Sequence, residues 1–254
     1  MFGGSGNPRI RYVGLSAIIV VSVFAAGCAT QTTQTTPAAP PPTATATPVP
    51  LDAEAVLGLA ADWALNLSTA TFALDHWKGS TTLFPGVEMT RASGAIDIPD
   101  KYRLVIEAQS TTPKAYFEVT VVSVGGEVRM TDFFTGRWRT VPQSVLPVDF
   151  SRLGVTLSEI VAGVVAPELG EMETVAGVET RRIRGSIQSQ KLAGLVPGSV
   201  EGFDVGMDLW VEIPEGVVHQ VLISGQVLST DIPGSQRLLT LGDFGEPITI
   251  NLPE

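Results

Sequence analysis

The sequence predicts an α+β domain in which a curved antiparallel β half-barrel wraps around a few apolar helices. Three observations predict it. After about residue 71, apolar and polar residues alternate with a period of two through many segments joined by short turns, a meander rather than βαβ units. Two other segments, Leu51–Leu67 and Thr156–Ala166, repeat at helical spacing and are apolar over most of their surface. The chain also holds 26 glycines, the residues that bulges and bends of a curved sheet require.

The first helix is expected over Leu51–Leu67, with Asp52 as N-cap and Glu54 near the positive end of the dipole. Leu57, Ala60, Ala61, Ala64 and Leu65 form one stripe, and Val56, Leu59, Trp63 and Leu67 another. A helix apolar on most sides is one that expects to be surrounded. Strands follow at Thr71–Gly79 and Val87–Ile98. Across Lys101–Gln109, Tyr102, Leu104 and Ile106 share a face; across Lys114–Val124, Phe117, Val119 and Val121 do. Gly125-Gly126 turns the chain into a strand at Glu127–Phe134, with another at Arg137–Val141. In the second helix, Thr156–Ala166, residues Leu157, Ile160, Val161, Val164 and Val165 make one apolar face. Strands resume at Glu171–Ala176, Val178–Gln188, Phe203–Ile213, Val217–Leu228 and Arg237–Leu241, with a short helix near Ser189–Leu195. The interior between such layers is either a filled core or a lipid-sized cavity.

Residues 1–27 have the organisation of an export signal. Arg9 and Arg11 precede the apolar run Tyr12–Gly27, which ends in small residues. Spanning helices usually need about 20 apolar residues, so the run is short for a permanent anchor. The only cysteine, Cys28, follows directly. Ala25-Ala26-Gly27-Cys28 resembles a bacterial lipobox, in which the cysteine receives a diacylglyceryl thioether and becomes the mature N-terminus. Ala26 and Gly27 fit the small positions; Ala25 stands where Leu or a larger aliphatic is usual. Cys28 is therefore read as a lipid anchor, the alternative being an ordinary cleaved signal. The Thr/Pro/Ala tract Ala29–Pro50, which with Cys28 makes up residues 28–50, has no charge and no apolar period, so it builds no core and reads as a linker. Residues 51–254 are then one domain.

Lys and Arg total 16 against 26 acidic residues, a formal charge of −10. That balance opposes nucleic-acid binding, which needs a basic surface. His76 and His219 each stand alone on an expected strand, without zinc-ligand spacing, and there is no HExxH, G-x-S-x-G, S-x-x-K or phosphate loop. Arg181, Arg182 and Arg184 form the densest basic group and read as a solvated outer face rather than a headgroup site. No cofactor and no metal are expected, and the chain is expected not to be an enzyme.

Several segments together resemble the LppX/LprG-type bacterial lipoproteins of the LolA-like group of lipid carriers. These are Gly136-Arg137-Trp138, Val175–Thr180 continuing to Ile183-Arg184-Gly185, Asp208–Glu212, and Leu241–Gly245 with Ile248-Thr249-Ile250. The resemblance implies a half-barrel covering helices, with a hydrophobic cavity for acyl chains of envelope lipids or lipoglycans. It implies a monomer anchored to the outer face of the bacterial cell membrane, moving an acylated lipid or glycolipid, sometimes beside an export pump. The group has no fixed cavity motif, so the lining candidates come from alternation alone. They are Leu104, Ile106, Phe117, Val119 and Val121, then Leu209, Val211, Val221 and Ile223, with Leu157, Val161 and Val164 from the second helix. The alternatives are a non-catalytic sensor or scaffold that binds a protein partner, and a secreted hydrolase with dispersed carboxylates.

Overall fold

The Asp52 carboxylate starts the first helix by accepting the backbone N–H of Ala55 at 2.8 Å, an N-cap that satisfies one of the donors a helix start leaves open. This is seen in a computed structural model, which describes residues 51–133, 135–145 and 148–254. The apolar run Tyr12–Gly27, Cys28 and the Thr/Pro tract to Pro50 lie outside the described residues, as does Phe134 at the end of an expected strand. Helix α1 covers Ala53–Leu65 and stops at Asn66, whose side-chain amide donates to the Asp62 carbonyl at 2.8 Å.

Seven strands follow: β1 (Thr69–Lys78), β2 (Thr81–Phe84), β3 (Val87–Asp97), β4 (Lys101–Thr111), β5 (Lys114–Val124), β6 (Glu127–Thr131) and β7 (Trp138–Val141). Helix α2 (Leu153–Ala162) then leads to β8 (Val165–Val175), β9 (Val178–Gln188), β10 (Asp204–Val211), β11 (Val218–Ser224) and β12 (Gln236–Gly242). All twelve strands belong to one antiparallel sheet, ordered β7-β6-β5-β4-β3-β1-β12-β11-β10-β9-β8, with β2 on β3. The sheet is open: β7 and β8 are its edges. Two meanders are joined at the centre where β1 pairs with β12, from Thr71 opposite Gly242 to Lys78 opposite Gln236.

Several boundaries differ from the sequence reading: β8 begins at Val165 rather than Glu171, and β11 ends at Ser224 rather than Leu228. The strand expected over Thr71–Gly79 is β1, but the sequence reading has no counterpart of β2, which lies end to end with β1 along β3. Asp75 pairs with Arg91 and Thr81 with Met89, and Thr90 bulges between them. Helix α2 starts at Leu153 and stops at Ala162, not Ala166. Gly163 closes it by donating to the Glu159 carbonyl at 3.0 Å. Pro167 disfavours helical geometry in the residue before it, and Ala166 takes a φ of 49°. Val164 therefore lies beyond the helix to which the periodicity assigned it. Near Ser189 only a single 3-10 turn, Ser189–Leu192, forms.

Helix α1 is surrounded, as its composition requires. Val56, Leu57 and Ala60 pack into a cluster with Ile183, Leu209 and Val211 of β9 and β10. Ala64 belongs to a second cluster with Ile96, Leu104 and Val121 of β3, β4 and β5. Helix α2 does the same, with Val161 in the first cluster and Leu153 and Leu157 in the second. The helices approach closely at Gly154, where a Cβ would stand 2.7 Å from the Ala64 carbonyl oxygen.

The sheet is tightest at Gly94 of β3, where a Cβ would lie 2.0 Å from the Arg103 carbonyl oxygen and 3.0 Å from the Phe72 ring. Neither backbone nor ring can give way by that much. Gly94→Ala is expected to destabilise the domain by about 3 kcal/mol or more, the upper range for overpacking. A urea midpoint within error of the parent protein would refute the close approach.

Candidate functional site: the concave face of the sheet

The face that meets the helices is set by period-two alternation and by register. On β4, Tyr102, Leu104, Ile106 and Ala108 point to it, opposite Ser123, Val121, Val119 and Phe117 of β5. Across the centre, Leu74 of β1 stands opposite Leu239 of β12, and Leu239 opposite Val221 of β11. Leu209 of β10 lies between Val221 and Ile183 of β9. The concave surface is thus apolar from strand to strand.

The structure places eleven of the twelve lining candidates in or against its two clusters. Leu209, Val211, Val221, Ile223, Val161 and Val164 are buried in the first. Leu104, Val119, Val121 and Leu157 are buried in the second, and Ile106 packs on its margin, partly exposed. Phe117 is half-buried, with its ring 6.0 Å from that of Phe133. Beneath the helices the layer between helix and sheet is filled with side chains.

Two apolar surfaces remain accessible. One is a groove of about 490 Å³ where Leu57, Gly58 and Ala61 of α1 face Val161, Val164 and Val165, with Glu54 at its rim. The other is at the margin of the second cluster, where Phe72, Leu74, Ile106, Met130 and Phe133 stay partly exposed. Phe84 extends it, its ring 5.8 Å from Phe133. Alternation found Ile106 and Phe117. It missed Gly58 and Ala61, whose i, i+3 spacing of small residues was the available signal, and it missed Phe84 at the end of β2 and Phe133 in the β6–β7 connection.

The polar residues singled out by the sequence are engaged. Arg182 Nε donates to Asp208 at 3.0 Å on the convex face, and Arg184 lies 3.5 Å from the same carboxylate. Arg182 also stacks over Trp210, whose indole N–H donates to Glu173 at 2.8 Å. That indole hydrogen bond, with Arg182 beside it, holds the Glu173 carboxyl below its ordinary range. Arg181 donates to the Gly170 carbonyl. His219 pairs with Glu212 at 2.9 Å, its ring edge against Phe244. No group of metal-ligating side chains occurs among the described residues, and no described helix is long and apolar enough to cross a membrane.

His76 belongs to a chain of hydrogen bonds that is half-buried at His76 and wholly buried at its far end. Its Nδ1 lies 2.9 Å from the Thr90 carbonyl, which can only accept, so Nδ1 carries the proton. Nε2 then accepts from the Thr81 hydroxyl at 2.8 Å, and that hydroxyl accepts from Arg237 Nε at 3.2 Å. Burial, reinforced by the Arg237 charge, pushes the His76 pKa below its ordinary value against the Thr90 contact. Arg237 in turn pairs with Asp231, both side chains almost wholly buried. The chain of bonds clasps β2 and the bulge in β3 to the β11–β12 connection.

Burial pushes the Asp231 carboxyl up, but Arg237 and the backbone N–H groups of Leu228 and Val227 outweigh it, so its pKa lies below the ordinary value. A depressed folded-state pKa contributes stability above the unfolded value, about 3.9, and that contribution is lost as pH falls through the folded value. Removing one partner of a buried pair costs about 3–5 kcal/mol. Asp231→Asn is therefore expected to lower stability by that order at neutral pH and to flatten the acid limb below about pH 4. An unchanged acid limb, measured by urea unfolding across pH, would contradict this assignment.

No family model matches the chain, and no curated protein matches it in sequence. Solved structures do match. The chain is similar to LprF from Mycobacterium bovis, at 16% identity and a TM-score of 0.59, over 79% of this chain and 96% of LprF. It is similar also to the Mycobacterium tuberculosis lipoprotein LppX, at 19% identity and a TM-score of 0.54, over 78% of this chain and 97% of LppX. The likeness to LppX-type proteins carried by the short sequence segments is thus present in the whole architecture: the domain has the fold of LprF and LppX.

Proposed function

We propose that this chain is a membrane-anchored envelope lipoprotein. In this reading it binds acyl chains of lipids or lipoglycans on the concave side of its sheet and carries them across or between envelope layers, without catalysing a reaction. The observation that carries the reading is the open half-barrel itself, a concave face apolar from β9 to β5 that two short helices cover only in part. LppX, which shares that architecture, is a lipoprotein. Cys28, at the end of an apolar run and before an uncharged linker, supplies the anchor at the outer face of the cell membrane.

The energetics suit a carrier. Burying a sixteen-carbon chain is worth about 12 kcal/mol relative to water, at ~0.8 kcal/mol per methylene. A bilayer offers nearly the same, so exchange between membrane and protein is close to neutral, and polar contacts at the margin decide selectivity. The sequence has no phosphate loop, so direction comes from a lipid gradient or from a partner such as a membrane export pump.

A second reading, a sensor or scaffold that binds a protein, is favoured by one observation. The space beneath the helices is filled, while edge strand β8 exposes Val165, which lines the groove, and Leu169 and Met172 farther along it.

Native mass spectrometry of the full chain, with solvent extraction of non-covalent lipid, separates the two. The expected result is a bound acyl lipid whose occupancy falls at least about tenfold, or roughly 1.4 kcal/mol, in Ile106→Trp or in Gly58→Trp. A Cβ at Gly58 meets nothing within 4 Å, so that variant fills the groove without disturbing the core. Whichever variant loses the lipid identifies the surface that holds the chain. A folded, lipid-free protein would overturn the carrier reading in favour of the scaffold.

A further inference from the structure

The strands end on two sides that differ in chemistry. On one side lie the β3–β4, β8–β9 and β10–β11 turns and the segment after β12. They carry Asp97, Asp100, Glu179, Glu212, Glu215 and Asp243. On the other side lie β2 with its turn into β3, the β4–β5 turn, and the β6–β7 and β11–β12 connections. Gly79–Gly86 holds no charged residue, the β4–β5 turn contributes only Lys114, and the β6–β7 connection carries Asp132, which accepts from Thr135, together with Arg137. The acid of the β11–β12 connection, Asp231, is buried against Arg237.

This side also gathers exposed apolar side chains. Trp77 is 60% and Tyr116 is 73% exposed, and Leu83, Phe84 and Ile232 are exposed too. Gly79 stands close to Ile232 at the end of β1, a Cβ there being 3.5 Å from the isoleucine side chain. Phe84 packs on Phe133, and Phe133 on Phe117, so the exposed set runs into the partly exposed margin of the second cluster. Lys78 and Lys114 flank it.

The geometry points to this end of the domain as a membrane-docking surface: Trp77, Leu83, Phe84 and Ile232 enter the headgroup–acyl boundary of a lipid bilayer, and the acidic end turns away from it. The inference rests on the anchored-carrier reading and says which face of the domain meets the membrane. Aromatic side chains with an apolar body and a polar tip favour that boundary, and lysines reach from it to the headgroups. An anionic leaflet repels the acidic end of a chain whose net charge is −10. The anchor residue Cys28 is separated in sequence from Leu51 by an uncharged Thr/Pro/Ala tract, so the choice of face is left to surface chemistry. An acyl chain entering here would pass from bilayer to Phe84, Phe133 and that margin without crossing water.

The test uses the full chain in vesicles of phosphatidylcholine with a minority of phosphatidylglycerol, the phosphatidylcholine being either plain or brominated in its acyl chains. Tryptophan emission reads contact with the acyl region, and flotation of the vesicles reads the anchor, so either can fail alone. The expected result is quenching by brominated lipid that is largely lost in Trp77→Phe. It should also be largely lost in the Leu83→Asp/Phe84→Asp double variant, which still floats and unfolds at the parent temperature. If the chain does not float, the anchor fails, and quenching with vesicles in excess still decides the docking. Equal emission in plain and brominated vesicles overturns the inference, as does quenching that survives Trp77→Phe. A dimer in sedimentation that the double variant dissolves, with no quenching, would assign the surface to a second copy of the chain and also overturn it.

Discussion

The pairing of β1 with β12 is the constraint on which the architecture depends. Each meander is local: hairpin turns set the register of β3 to β7 on one side and of β8 to β12 on the other. The central pair joins them through residues such as Phe72 and Leu241, far apart in the chain. Because the join lies mid-sheet, both meanders curve around the same pair of helices, and α1 contributes to both apolar clusters. The clasp of His76, Thr81, Arg237 and Asp231 sits at one end of this seam. It replaces ladder hydrogen bonds that the interruption between β1 and β2 removes, in a chain whose single cysteine precludes an internal disulfide.

Much of this was legible in the amino-acid order because it is local. Asp52 announces a helix start, and the alternation through β4 and β5 names the residues that share a face. The failures have physical causes that short windows do not contain. Helix α2 ends early because Gly163 and Pro167 act on a run of valines that reads equally well as helix or strand. Strand β2 was missed because Gly79-Ser80 ends the alternation of β1, while the bond from His76 across the gap depends on the fold. Arg237 is almost wholly buried because Asp231 and Thr81 meet it there, the latter from 156 positions away; no pattern in its own segment indicates that.

The lining candidates show the same limit more sharply. Leu104 and Ile106 are two residues apart on one face, yet the first is buried in the second cluster and the second lies on its margin. Alternation decides the face, whereas tertiary packing decides which part of it remains accessible. Gly58, too small to appear as a core residue, opens the groove because it contributes nothing to fill it.

An open sheet also has a cost that a closed barrel avoids, because each edge strand offers unpaired backbone groups to another chain. Here β7 is only four residues long. Strand β8 pairs with β9 irregularly, with register shifts on either side of Glu168-Leu169, and carries Glu168 and Glu171 exposed. Short, kinked and charged edges are poor templates for strand addition. The same bulges that bend β8 around the helices therefore keep one copy of the sheet from growing into the next, which matters most where copies are crowded on a common surface.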